Sequence, residues 1–198
     1  MQPSPAFLAV ATADVALAAA GRDRARWLTK PLLMPTLARG RDRRTQVSLA
    51  LAGAGDVALL GGGETAFRAG LGSFFASHLA WVAALRDRPG RGWLRAHPLA
   101  AVPYLVVWAG LNGFLWRRTG PDRLPVAAYS CALAATALAA LDTGDRAAAA
   151  GGALFFASDS MLALERFAGV RLPRQEAWVM GTYVTAQALL AESGRARS

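Results

Sequence analysis

A chain of 198 residues that is 54% apolar and only 18% charged, with its charges gathered between apolar runs, is not a soluble domain with amphipathic faces. Its net charge of +9 is almost all arginine, and the arginines sit in short connectors such as ARGRDRR and RDRPGRGWLR. That placement points to anionic lipid headgroups and topology control and argues against nucleic-acid binding.

Seven apolar runs reach spanning length, roughly 17–21 residues each by the bilayer rule. The first, 3–20, lacks the basic n-region of a signal peptide and reads as a span. It carries Asp14, with nothing adjacent in sequence to support it. The segment 27–38, WLTKPLLMPTLA, is short and holds two prolines. It reads either as a tilted eighth span, with Lys30 snorkelling or facing the bundle, or as a re-entrant segment buried in protein.

The run 46–63 carries Asp56 about ten residues in, and ends in Gly61-Gly62-Gly63, which lacks the ending of a phosphate loop. The run 69–85 places His78 mid-span, with no paired His or Cys spacing that would make a zinc site. The run 97–116 follows the turn Arg88-Pro89-Gly90, and Gly120-Pro121-Asp122 leads into 124–141 with Tyr129. Thr143-Gly144-Asp145 precedes 146–165, where Asp159 is flanked by Ser158 and Ser160. The last run, 175–192, has Tyr183 and Gln187 on one face at i, i+4. The six tryptophans fall mostly near run ends, as interfacial anchors should. Cys131, the one cysteine, excludes an intrachain disulfide and reads as a small packing residue.

The fold class is therefore all-α: a single polytopic transmembrane helix bundle. With eight spans the 22 Lys and Arg divide evenly between the two sides, so orientation stays open. With seven spans and a re-entrant 27–38 the split becomes uneven, and the positive-inside rule prefers that arrangement with the N-terminus outside.

A carboxylate at mid-membrane depth costs about 2.5–3.5 kcal/mol on insertion scales. Asp56 and Asp159 both carry that cost, in spans that run in the same direction, offset by roughly 6 Å. They can line one cavity and act as an acid and a base, or each can pin helices through Ser, Thr or backbone groups. Lys30 is a charge partner for either aspartate, or an interfacial lysine. His78, Tyr129, Tyr183 and Gln187 are pocket residues or interhelical hydrogen-bonding groups.

The order of motifs is KPLLMP at 30–35, Gly55-Asp56, Phe67 with GLGSFFASHLAW at 70–81, Pro125 with Tyr129, ALFFASDSMLALERF at 153–167, and Tyr183 with Gln187. This order resembles the YhhN-like lysoplasmalogenase family of integral membrane proteins over nearly the whole chain. The resemblance implies eight spans, and hydrolysis of the vinyl ether bond of lysoplasmalogens to a fatty aldehyde and a glycerophospho-base. It brings in Lys30, Asp56, His78, Asp159, Tyr183 and Gln187 as matching positions. The chemistry needs an acid to protonate the β-carbon and a carboxylate to stabilise the cation or activate water, much as in glycoside hydrolysis. Asp56 and Asp159 are the catalytic pair on this reading. Lys30, His78, Tyr129, Tyr183 and Gln187 bind substrate, with no metal and no cofactor required. The expected partners are a lysophospholipid and membrane lipids, in the cell membrane, with the oligomeric state open. The competing classes are a proton-coupled carrier and a non-catalytic membrane scaffold.

Overall fold

The computed structural model describes residues 3–88 and 90–193. Among these residues all regular structure is helical. The helices are α1 (Pro5–Ala19), α2 (Asp23–Ala38), α3 (Arg43–Leu60), α4 (Gly63–Arg86), α5 (Trp93–Ala96), α6 (Val102–Leu115), α7 (Arg123–Asp142), α8 (Arg146–Ala168) and α9 (Gln175–Glu192). Single 3-10 turns at Pro98–Ala101 and Gly120–Asp122 lead into α6 and α7. Pro89 of the expected Arg88-Pro89-Gly90 turn lies outside the described residues.

Local sequence sets these boundaries. Asp42 and Asp145 cap α3 and α8 by accepting from the Thr45 and Ala148 amides at 3.0 and 2.9 Å. Gly62 and Gly63, both with positive φ, turn the chain from α3 into α4 with no side-chain penalty. The 27–38 segment belongs to a continuous helix, although Pro31 and Pro35 each remove a backbone donor. Thr36 Oγ1 donates to the Leu32 and Leu33 carbonyls, both at 2.8 Å.

Among the described residues, three segments are by length and composition apolar enough to cross a membrane: 98–115, 120–142 and 146–168. The expected runs at 46–63, 69–85 and 175–192 are helices too, but carry more polar residues. α1 is apolar and shorter.

Neighbours close into a ring, α1–α2–α3–α4–α7–α8–α9 and back to α1, with α6 outside against α7 and α8. The tightest pairs are α3 with α4 and α8 with α9. Small residues permit this. A Cβ at Gly55 would lie 2.6 Å from the Phe74 ring, and one at Gly151 would lie 3.0 Å from the Ala186 carbonyl oxygen. Hydroxyls cross-link the same seam, Ser73 to the Leu51 carbonyl at 2.7 Å and Ser77 to that of Ser48 at 2.8 Å. α5 is tied to α7 because Asp142 accepts from the Gly92 and Leu94 amides.

Three expectations are corrected. Trp81 is no interfacial anchor: it is fully buried and donates to Gln187 Oε1 at 3.2 Å, whereas Trp27, Trp116 and Trp178 are exposed. Cys131 is exposed and does not pack in the core, because α7 buries the side that carries Ala132, Leu133 and Thr136 instead. Asp14 is not isolated. It is fully buried, paired with Arg26 at 3.3 Å and hydrogen-bonded by Thr29 at 2.6 Å.

Candidate active site

Asp56 and Asp159 are each the fourteenth residue of their helices, so the offset expected from the apolar runs vanishes once the true helix starts are used. Asp56 is 2% exposed. Its Oδ1 meets Lys30 Nζ from α2 at 2.6 Å, and its Oδ2 accepts from the Tyr183 hydroxyl of α9 at 2.7 Å. A carboxylate this deep is tolerable because both oxygens are satisfied, one of them by a cation.

Asp159 is held in a corresponding way by different residues. Its Oδ2 accepts a hydrogen bond from the Tyr129 hydroxyl of α7. His78 of α4 is close, with Nε2 3.6 Å from the same oxygen. The Tyr129 proton goes to Asp159, so the phenol oxygen is left to accept from His78 Nε2–H at 3.2 Å. Thr136 Oγ1 stands 3.1 Å from Nδ1 on the other side of the ring. Each aspartate thus takes one partner from the helix before its own and faces one from the helix after the other aspartate. Phe155 joins the two halves, with its ring 4.5 Å from His78 and 5.6 Å from Tyr183.

Both carboxylates open onto one cavity of about 550 Å³. Its polar surface is Lys30, Asp56, Tyr129, Asp159 and Tyr183. Leu59, Leu71, Phe74, Leu162 and Met180 make apolar walls. Charged groups gather where α2, α8 and α9 begin or end: Arg26, Glu165, Arg166 and Glu176. An apolar chamber of this volume with a few convergent polar groups is the ordinary form of a small-molecule site. A smaller cavity of about 60 Å³ between α6, α7 and α8 touches Tyr129 and Asp159 as well.

Of the residues singled out from sequence, Lys30, Asp56, Tyr129, Asp159 and Tyr183 meet on the cavity. His78 and Gln187 are fully buried behind it. Gln187 accepts from Trp81, and its amide nitrogen has no protein partner among the described residues. Ser158 and Ser160 bond the Val179 and Phe156 carbonyls and leave Asp159 alone. Sequence reasoning missed Arg26 and Thr136. Arg26 lies four residues before Lys30, a spacing that places both on one helix face once the helix is known to begin at Asp23. Among the described residues no three of His, Cys, Asp and Glu gather to hold a metal ion.

The YhhN family model matches residues 25–194, which include every residue of the carboxylate network. The chain belongs to the YhhN family. It is a membrane protein, consistent with its three long apolar helices. It is 37% identical over 139 residues to proteins named lysoplasmalogenase from Mycobacterium bovis and Mycobacterium tuberculosis. Those alignments cover 65% of this chain and 52% of each relative, so the chain spans about half the length of the curated relatives it matches. No solved structure is significantly similar to this YhhN-family chain.

Proposed function

We propose that this chain is a membrane hydrolase that cleaves the vinyl ether bond of a lysoplasmalogen, working as one helical unit of eight crossings in the cell membrane. The observation that carries the reading is the unequal pairing of two carboxylates on one amphipathic cavity. Asp56 is matched with a formal cation, Lys30, at 2.6 Å. Asp159 has a phenol and an imidazole for company. On this reading Asp56, matched with a cation, serves as the carboxylate and Asp159 as the general acid.

The reaction follows. Asp159 delivers its proton to the β-carbon of the enol ether, leaving an oxocarbenium ion that Asp56 faces. Water adds to the α-carbon and gives a proton to Asp56, forming a hemiacetal. As the hemiacetal C–O bond breaks, Asp56 gives its proton to the glycerol oxygen and Asp159 takes the hemiacetal hydroxyl proton, so both carboxyls return to their starting states. The products are a fatty aldehyde and a glycerophospho-base. Tyr129 and Tyr183 hold the two carboxylates in place, with His78 and Thr136 behind Tyr129. The names of the two mycobacterial relatives support the substrate class.

The test is aldehyde release by the purified protein from an alkenyl lysophosphoethanolamine, beside a saturated alkyl-ether lysolipid and an acyl lysolipid. Aldehyde should come from the vinyl ether alone and fall about 10²–10⁴-fold in Asp159→Asn, the range for loss of a general acid. Full activity in both Asp56→Asn and Asp159→Asn would sink the mechanism.

A second reading, a proton-coupled carrier, draws on the matched placement of the two aspartates, since carriers are often built from internal repeats. Proton flux in liposomes without aldehyde release would favour it.

A further inference from the structure

We propose that Arg26 is the phosphate-binding residue of the cavity, holding the phosphodiester of a lysophospholipid one helical turn from the carboxylate pair. The proposal rests on the hydrolase reading for the identity of the lipid. Lys30 is poorly placed for this task, because its Nζ is already in contact with Asp56 at 2.6 Å and its side chain is 8% exposed. Arg26 is the next residue on the same face of α2, lines the same cavity, and is itself 8% exposed.

A guanidinium has five N–H donors in a rigid fork. In Arg26, Nε and one Nη2 hydrogen are turned to Asp14 at 3.4 and 3.3 Å, and Nη1 stands 3.5 Å from Asp23. Donors remain for a further anion. Asp14 is fully buried on α1 and fixed by Thr29, so it braces one edge of the fork, and with Asp23 beside Nη1 one hydrogen each on Nη1 and Nη2 is left for a further anion. This gives a buried mid-helix carboxylate a task that the carboxylate network does not assign. The acidic groups at the same end, Glu165 and Glu176, are both bound to Arg171, at 3.0 and 2.7 Å. Arg166 is more exposed, stacked on Phe67 and bonded to Glu64, and forms the rim.

Spacing agrees with the substrate. Four residues of helix separate Arg26 from Lys30, a rise of about 6 Å. In a lysoplasmalogen the glycerol carbons and one ester oxygen lie between the vinyl ether oxygen and phosphorus, a reach of about the same length. A phosphate on Arg26 therefore leaves the ether at the level of Lys30 and Asp56, with the hydrocarbon chain against the Leu162 and Phe74 walls. Bidentate recognition of a phosphate is what an arginine does better than a lysine.

Removing Arg26 alone strands Asp14, so the test uses Arg26→Lys and the paired variant Asp14→Asn/Arg26→Gln, both on the full chain in detergent. The first readout is thermal stabilisation, independent of turnover, by a saturated alkyl-ether lysophosphoethanolamine, by the matching alkylglycerol without phosphate, and by inorganic phosphate. The second is the ratio of kcat/KM for the alkenyl lysophospholipid over the alkenylglycerol. The parent should be stabilised by the phospholipid analogue well beyond the alkylglycerol. Both variants should lose that preference, with affinity for the phospholipid falling about ten-fold or more.

Retention of the preference in both variants would overturn the assignment. So would an Arg26-dependent shift of equal size with inorganic phosphate, which would make the site a free-anion site. If the parent cleaves no vinyl ether yet shows Arg26-dependent binding, the phosphate site stands and the hydrolase reading falls. If cleavage persists with an unchanged substrate ratio in the variants, the hydrolase stands and the phosphate site falls.

Discussion

Replacing Lys30 with Met removes the cation from a pair that is almost dry, with side-chain exposures of 8% and 2% and an N–O distance of 2.6 Å. Asp56 sits on a short stem inside α3 and cannot reach the surface. It keeps the Tyr183 hydroxyl as its remaining partner. Breaking one half of a buried ion pair costs about 3–5 kcal/mol, because the other charge is left without compensation. Asp56→Asn should cost less, since the flexible lysine stem can carry its ammonium toward the charged end of the cavity. The double variant Lys30→Met/Asp56→Asn removes both charges, and its cost should fall well below the sum of the singles, by about 2–3 kcal/mol. The assay is denaturation of the purified proteins in mixed detergent micelles, followed by helicity. All three variants should also lose aldehyde release, so stability and turnover separate the structural from the chemical part of the pair. Additivity within about 0.5 kcal/mol would refute the reasoning, because it would mean that the two groups do not compensate each other.

Tyr129→Phe deletes the donor to Asp159 and the acceptor for His78 in one step, so aldehyde release should drop by about ten-fold or more, less than the about 10²–10⁴-fold expected of Asp159→Asn; equal turnover of Tyr129→Phe and the parent would exclude Tyr129 as the group that positions Asp159. Gly55→Ala forces the Phe74 ring away from a contact of 2.6 Å, toward the cavity and Tyr183, and should cost about 1–3 kcal/mol with a raised KM; an unchanged unfolding midpoint would show that the α3–α4 seam has slack. At Asp42, burial alone would raise the carboxyl, but hydrogen bonds from Thr45 and Arg44, and the charge of Arg88, hold it below its ordinary value. A carboxyl lowered in the folded state stabilises above its unfolded value of about 3.9, and that contribution fades as pH falls through the folded value. Asp42→Ala should therefore cost about 1 kcal/mol of cap near neutrality and show a shallower loss of stability in acid; parallel acid titrations for variant and parent would contradict this.

The apolar runs located the helices closely, 146–165 against Arg146–Ala168 for instance, because burial in a bilayer demands continuous apolar stretches. Asp56 and Asp159 stood out for the same reason. What spacing could not supply was partnership. Tyr183 lies 127 residues from Asp56 and Gln187 lies 106 from Trp81, and nothing local announces either contact. Asp14 looked alone because its partner, Arg26, sits among the arginines of a connector that charge patterning assigns to headgroups. Cys131 was misplaced because, in a membrane helix, an apolar face can point to lipid as well as to the core. The matched placement of the two aspartates was hidden for another reason. It lies in helix register, fourteenth residue to fourteenth residue behind an aspartate cap, while the partners differ: Lys30 against Tyr129, and Tyr183 against His78.

The number of crossings turns on α2, and contacts along its length argue that it runs the depth of the bundle. Near its start Arg26 meets Asp14 of α1. In the middle Lys30 meets Asp56, and further on Met34 lies against Gly53, so α2 and α3 run antiparallel. Just past its end Arg41 bonds the Ala191 carbonyl and Glu192 at the close of α9. These contacts support the proposed crossing over a re-entrant segment, which would return to the side it left. Sixteen residues of helix rise about 24 Å, short of a hydrocarbon core of about 30 Å, and the flanking arginines can snorkel across the difference. The proposed eight crossings put both termini on one side. Reporter fusions at each end, active on only one side of the membrane, should therefore agree. Opposite signals would mean that α2 does not cross, and would leave Lys30 and Asp56 facing each other in a seven-crossing bundle.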